Sequence, residues 1–357
     1  MKKHNFSAGP CILPEEVLEK ASKAVLNFND DNLSLIEISH RSTPFVDVMD
    51  EAKQLVKDLL AVPDNYSILF LQGGASLEFL MVPFNLLSKN GKCAYINTGI
   101  WSKKAIKEAK NLGDTKIIAD SSDKNFSYIP ENITINEDFD YVHFTSNNTI
   151  FGTQFKSFPE TESNLVCDMS SDIFSRKIDV SKFGLIYAGA QKNMGPAGTT
   201  LVIVKNDILG KTGRNIPAML DYKTHIEKDS MFNTPPVFPI YVSMLTLRWL
   251  KEKGGVEYIE QINNNKAKML YEEIDRNSLF YGIVKSENRS NMNVTFNLYD
   301  NNLSEDFNKL CQENGINGLT GHRSVGGYRA SLYNALPKKS VEFLIKLMKN
   351  FEDKKND

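Results

Sequence analysis

Lys192 lies in "YAGAQKNMGPAG", among Gly189, Ala190, Gly195, Pro196, Ala197 and Gly198, between two apolar runs. Small neighbours leave a pocket floor open, and a lysine amine set there can form an imine with a carbonyl compound. Asp168 closes the apolar run "NLVC", and the turn "GGAS" at 73–76 follows the apolar run "YSILFL". A glycine turn that feeds a helix start offers free backbone N–H groups and a favourable dipole to a phosphate. Ser76 adds a hydroxyl there. Each feature taken singly has a plainer reading: a solvated loop lysine, a strand-end turn aspartate, a capped helix start. The turn also lacks the G-x-x-x-x-G-K-[ST] spacing of a nucleotide P-loop and the full dinucleotide fingerprint.

Taken together, the three features match what pyridoxal phosphate asks of a protein. That cofactor needs a lysine to carry it, an acid at its pyridine nitrogen and a cradle for its phosphate. Lys192, Asp168 and Gly74–Ser76 could fill these roles.

The elements that must position them alternate. "YSILFL", "KCAYIN", "TKIIA", "YVHFTS", "NLVCD" and "FGLIYAG" read as short apolar strands, with helices predicted at "SLEFLMVPFNLL" and "WSKKAIKEAKNLG". Two helices precede them, "PEEVLEKASKAVLNF" and "FVDVMDEAKQLVKDLLA". Strands interleaved with helices predict an α/β fold with a mostly parallel sheet, whose ligands bind at the carboxyl ends of the strands. From about residue 239 the chain reads as two long helices and then as a β-α-β-α pattern ending in "KKSVEFLIKLMKNF". The expected domains are 1–255, an N-terminal segment with a large cofactor-binding unit, and 256–357, a small α+β unit. Only the tail "EDKKND" looks frayed.

Composition narrows the field. The 357 residues are 41% hydrophobic and 24% charged, ordinary for a globular protein, and 42 basic against 44 acidic side chains give a net charge of −2. Nothing there points to nucleic acid or a membrane surface. No signal-peptide h-region and no membrane span is legible, and the four scattered cysteines favour a reducing cytoplasm. Asn-x-Ser/Thr triplets such as "NFS" at Asn5 are then chance matches. The five histidines show no ligand-like clustering, so no metal is expected.

The segment "IYAGAQKNMGPAG" resembles the cofactor-lysine segment of the phosphoserine aminotransferases, class V members of the fold-type I pyridoxal-phosphate enzymes. "NFSAGPCILPEEVL", "ISHRS", "DMSSDIFSRKIDVSKFGLIYAGAQKN", "MFNTPPVFPIY" and "GHRSVGGYRASLYNALP" resemble the family in the same order, across nearly the whole chain. The resemblance implies a seven-stranded, mostly parallel sheet between helices in the large domain. It makes Lys192 the Schiff-base lysine and general base, and puts Asp168 on the pyridine nitrogen. Trp101 would stack on the ring and Thr149 would contact it; Gly74, Ala75, Ser76 and Gln191 would meet the phosphate. Asn233 and Thr234 would reach that phosphate from the second subunit of a homodimer. Arg329 would take the substrate α-carboxylate, while His322 and Arg323, with His40 and Arg41 from the other subunit, would take the distal anion.

The implied reaction moves an amino group from L-glutamate to 3-phosphohydroxypyruvate, giving 2-oxoglutarate and O-phospho-L-serine. For relatives in vitamin B6 synthesis, 4-phosphohydroxythreonine is a second substrate. Some members carry an arginine in the glycine turn where this chain has Ser76, which lowers the expected number of phosphate contacts. Three other readings compete. A cysteine desulfurase needs a nucleophilic cysteine on a mobile loop, and Cys311 falls inside a predicted helix. A small-amino-acid transaminase would not need two His-Arg pairs. A non-catalytic scaffold would be marked by loss of the lysine or the arginines, all of which are present.

Overall fold

The computed structural model describes residues 3–356. Met1, Lys2 and Asp357, the outermost residues of the expected domains and the last of the expected tail, lie outside that range.

Two helices lead, α1 (Glu15–Leu26) and α2 (Thr43–Leu60). In α2, Phe45, Val48, Met49, Ala52, Leu55, Val56 and Leu60 recur at helical spacing and are buried, so one stripe faces the core. The central sheet then builds from β1 (Tyr66–Leu71), β2 (Lys92–Asn97), β3 (Asp114–Asp120), β4 (Tyr141–Thr145), β5 (Asn164–Asp168), β6 (Leu185–Gly189) and β7 (Thr200–Lys205). Helices α3 (Gly74–Leu86) and α4 (Ile100–Lys110) follow β1 and β2. The seven strands lie in the order β1-β7-β6-β5-β4-β2-β3. Every residue of β4 and β6 is buried, as expected of strands covered on both faces.

One strand breaks the parallel rule. β7 runs antiparallel to both β6 and β1, pairing Thr200 with Gly189 and with Leu71. The expected sheet is mostly parallel, and β7 is its antiparallel member. The short return through residues 190–199 allows only an antiparallel partner, because a parallel one needs a crossover of a dozen residues or more. The lysine loop is therefore the hairpin connection between β6 and β7.

Two long helices, α5 (Val237–Glu252) and α6 (Gly255–Arg276), carry the chain away from the sheet. The remainder forms β8 (Phe280–Gly282), β9 (Asn293–Leu298), α7 (Ser304–Glu313), β10 (Tyr328–Ser331) and α8 (Lys338–Asn356). Strands β8, β9 and β10 make an antiparallel sheet with its own apolar core. His4–Asn5 pairs parallel with Ile316–Asn317, and Phe6 is buried in that second core.

The expected frayed tail is corrected: α8 continues to Asn356. Glu352 is buried and accepts from Arg276 Nη2 at 2.7 Å and from the Ser278 N–H at 2.6 Å, which holds the last turns down. No described helix is long and apolar enough to cross a membrane.

Helix α3 buries an acid. Glu78 is fully buried, accepts from the Tyr222 hydroxyl at 2.5 Å, and has no partner for Oε1 among the described residues. Burial pushes its carboxyl up to about 8. A raised folded-state pKa stabilises only the protonated form. That stability is complete below the unfolded value of 4.5 and lost as pH rises through about 8. A Glu78→Gln variant is thus expected to gain on wild type between these limits, by on the order of a few kcal/mol at pH 8.5. Thermal unfolding across a pH series checks it; a difference that does not change with pH contradicts a protonated Glu78.

Candidate active site

The glycine turn, Trp101, Thr149, Asp168 and Lys192 lie at the carboxyl ends of the parallel strands, where sheets of this kind bind ligands. β1 ends at the glycine turn, β2 leads to Trp101, β4 to Thr149, β5 ends on Asp168 and β6 leads to Lys192. Asp168 and Tyr187 are register partners on adjacent parallel strands, so the acid and the lysine loop leave the sheet side by side.

Asp168 is 4% exposed. Its Oδ1 accepts from the Ser170 N–H at 2.9 Å and the Ser170 hydroxyl at 2.6 Å. That hydroxyl in turn accepts from the Gly189 N–H at 3.1 Å, tying the acid to β6. Oδ2 has no hydrogen bond among the described residues, which leaves one oxygen for a ligand. Burial pushes the Asp168 carboxyl above the usual carboxylate range, opposed by Lys192 and then by Ser170. Ser170 carries no role in the sequence reading. An aspartate followed two residues on by serine is a self-bonding turn pattern that could have marked it.

Lys192 sits in a loop closed tightly at its base, with the Gly195 N–H donating to the Ala190 carbonyl at 2.8 Å. Gly195 is needed for close approach, since a Cβ there would stand 2.4 Å from the Ser243 hydroxyl on α5. Burial pushes the Lys192 ammonium below the usual lysine range; Asp168 pulls it back up and Arg329 pushes it further down. The Lys192 amine lies 5.8 Å from the centre of the Trp101 ring. Trp101 Nε1 donates to the Thr149 hydroxyl at 3.2 Å, and Arg329 Nη1 donates to the Thr149 carbonyl at 3.0 Å. Lys192, Trp101, Thr149 and Arg329 thus form one connected group. Gln191 is partly buried beside them, with its side chain folded back over Gly189.

The glycine turn stands at the edge of this group. Gly73 and Gly74 both adopt the left-handed region, at φ +91° and +66°, which an ordinary residue resists. They start α3 without any side-chain cap, so the first N–H groups of the helix are open at Ala75 and Ser76. The three parts fit pyridoxal phosphate: open N–H groups for the phosphate, an acid oxygen free for the ring nitrogen and an amine whose charged form burial disfavours.

The outer part is cationic. Arg329 is half-buried, forms no ion pair among the described residues, and has a buried Nε without a partner. Burial pushes His322 below the usual histidine range, with Arg329, Arg323 and Lys104 adding to it. Lys104, absent from the sequence reading, lies 4.7 Å from the centre of the Trp101 ring. A turn over Ser324 shapes the loop, His322 Nδ1 accepting from the Ser324 N–H at 3.2 Å, while Arg323 is exposed.

Two predicted pairs lie elsewhere in the chain. His40 and Arg41 occupy the turn before α2, with no hydrogen bond or ion pair to the 322–329 loop among the described residues, and His40 Nε2 is buried without a partner. Asn233 and Thr234 flank the end of β1, where the Thr234 carbonyl accepts from Gln72 Nε2 at 2.7 Å. Cys311 is buried within α7, and burial pushes its thiol up to about 12, unlike a loop nucleophile. Among the described residues no group of three or more His, Cys, Asp or Glu side chains could hold a metal ion.

Comparison with known proteins gives the family. The family model for aminotransferase class V matches residues 3–344. The phosphoserine aminotransferase of Flavobacterium psychrophilum is 64% identical over 355 residues, covering 99% of this chain and all of that protein. That of Bacteroides thetaiotaomicron is 57% identical over 99% of both. Among solved structures, phosphoserine aminotransferase from Bacillus circulans subsp. alkalophilus superposes with a TM-score of 0.96 at 44% identity, covering 99% of each chain. The pyridoxal-phosphate-bound enzyme of Trichomonas vaginalis gives 0.93 at 37%, covering 98% of this chain and 100% of that one.

Proposed function

Since the chain belongs to the class-V aminotransferases, and within them to the phosphoserine aminotransferases, we propose that it transfers the amino group of L-glutamate to 3-phosphohydroxypyruvate through the site centred on Lys192. The observation that carries this reading is the meeting of Lys192, Asp168, Trp101 and Arg329 at adjoining strand ends, in a chain alike over its full length to enzymes of that name.

Pyridoxal phosphate, when bound, supplies an electron sink for the carbanion formed at the substrate Cα. The residues do the rest. Lys192 would hold the cofactor, and the burial that lowers its ammonium pKa favours the neutral amine such a bond requires. As the general base, Lys192 Nζ would take the proton from the substrate Cα and return it on the other side of the transfer. Asp168 keeps a negative charge at the ring nitrogen, with Ser170 fixing its orientation. Trp101 covers the ring face and excludes water, and Thr149 holds Trp101 in place. The N–H groups at Ala75 and Ser76, with Gln191, receive the cofactor phosphate.

Both substrates carry two anionic ends, and the cations match that demand. Arg329 forks onto the α-carboxylate, while His322 and Arg323 face the distal phosphate or carboxylate. The enzyme works as a cytoplasmic homodimer, in which His40, Arg41, Asn233 and Thr234 complete the partner's site. Residues 1–255 comprise an N-terminal segment, whose His4–Phe6 pack with the small domain, and the cofactor domain; 256–357 form the small domain that brings Arg329.

A coupled assay tests the reading. Turnover is expected with glutamate and 3-phosphohydroxypyruvate and is expected to fall steeply with unphosphorylated oxoacids. Equal rates with both would sink it. The same assay offers 4-phosphohydroxy-L-threonine, and turnover of that compound adds a role in pyridoxine synthesis. Arg329→Ala is expected to raise KM for both substrates by roughly 10- to 100-fold, the scale of a lost hydrogen-bonded charge partner. An increase for only one of them contradicts the α-carboxylate role.

A further inference from the structure

A second buried lysine, far along the chain, holds the segment that abuts the first. Lys266, midway along α6, is 0% exposed. Its ammonium donates to the carbonyls of Leu332 at 2.8 Å, Tyr333 at 2.9 Å and Leu336 at 3.2 Å. Burial pushes that ammonium down to about 7, so three donors meet the three acceptors in its protonated form, and no carboxylate is paired with it among the described residues. A methionine would fill the same volume without taking a charge out of water, so burial alone does not account for a lysine here. The three carbonyls belong to the crossing between β10 and α8.

Two bridges run from that crossing to the lysine loop. The Asn334 N–H donates to Asn193 Oδ1 at 3.0 Å, and Asn193 is the residue after Lys192. Asn334 Nδ2 donates to the Phe174 carbonyl at 2.9 Å, just beyond the Asp168 turn, and its Oδ1 accepts from Asn263 of α6 at 2.8 Å. On the other side the Tyr333 hydroxyl donates to the Ala8 carbonyl at 2.8 Å. The same strand of chain continues to Cys11, whose N–H donates to the Gln191 carbonyl at 3.2 Å and whose thiol donates to the Lys192 carbonyl at 2.6 Å.

We infer that Lys266 is a positioning residue for Lys192: by gathering the carbonyls of residues 332–336 it seats Asn334 against Asn193 and so sets the amine's place relative to Asp168. The inference rests on Lys192 being the cofactor lysine. It makes the small domain a participant in placing the amine as well as the source of Arg329.

Lys266→Met and Asn193→Ala, the second removing the Oδ1 that receives the Asn334 N–H, are compared with wild type as cofactor-loaded enzymes. Each is expected to lose at least tenfold in kcat, with KM for both substrates changed less than threefold. The pH midpoint of the absorbance band of lysine-bound cofactor is expected to move by more than half a pH unit. Lost packing alone would lower the melting temperature without moving that midpoint. Should neither variant be recovered folded, hydrogen exchange on the wild-type protein decides: the Asn334 amide is expected to exchange at least tenfold more slowly with cofactor on Lys192 than after its removal. Folded variants with wild-type kcat and an unmoved midpoint, or equal exchange in the two forms, overturn the inference. A wild-type protein with no such band removes the assignment of Lys192 itself, and this inference with it.

Discussion

A Lys192→Ala variant is expected to lose the absorbance band of lysine-bound cofactor and to turn over at least about a thousandfold more slowly. Both losses have one physical source. In the proposed reaction the amine both anchors the cofactor and carries the Cα proton, beside Trp101 and with its charge disfavoured by burial. A positioned general base contributes about 10²- to 10⁴-fold by itself. Loss of the anchor adds to this, since bound cofactor then depends on its phosphate and ring contacts alone. The fold should survive, because the loop is held by the Gly195 N–H on the Ala190 carbonyl, the Cys11 N–H on the Gln191 carbonyl and the Asn193 side chain accepting from the Asn334 N–H, all of which alanine at 192 leaves in place. Spectra after extensive dialysis, with initial rates on the same sample, check the expectation. Retained absorbance together with turnover within twofold of wild type would falsify the assignment.

Asp168→Asn is expected to cut kcat by roughly 10²- to 10³-fold, the scale of removing one preorganised electrostatic partner. The substitution keeps the shape and an oxygen for Ser170, and it deletes the charge opposite the ring nitrogen. Stability should move the other way. Burial raises the Asp168 pKa on folding, so its stabilisation is complete below about pH 4 and lost as pH rises through the folded value. At neutral pH the cofactor-free variant therefore melts at the wild-type temperature or above it. A site kept at a cost to stability has this signature. Paired measurements of kcat and of melting in the cofactor-free state check it. A fall in both together would mean that Asp168 serves the fold and not the reaction.

The chemistry at strand ends was the most legible part of this chain. A lysine among glycines, an aspartate closing an apolar run and a glycine pair opening a helix are local patterns, and the structure puts all three at one edge of the sheet. The long amphipathic helices were equally plain, because their stripes repeat over several turns. What stayed hidden depends on distant partners. β7 reads as one more apolar run, and its direction follows from the length of the connection before it. Lys266 sits in "NNNKAKML", which reads as a solvated helix face, and only three carbonyls from residues 332–336 show why the charge is inside. Asn334 in "YNALP" looks like an ordinary turn residue, since its partners Asn193, Phe174 and Asn263 are remote in sequence. Glu352 and the last turns of α8 read as a charged tail for the same reason.

The first strand of the chain has the last sites as its partners. His4–Asn5 pairs with Ile316–Asn317, and the Phe6 carbonyl accepts from the Ser331 N–H at 3.2 Å. A polypeptide leaving the ribosome amino end first must therefore carry this segment unpaired until nearly all the rest has emerged. The clasp from Cys11 onto the Lys192 carbonyl closes along with it. A product cut short before residue 316 would leave His4–Asn5 without the strand that seats it.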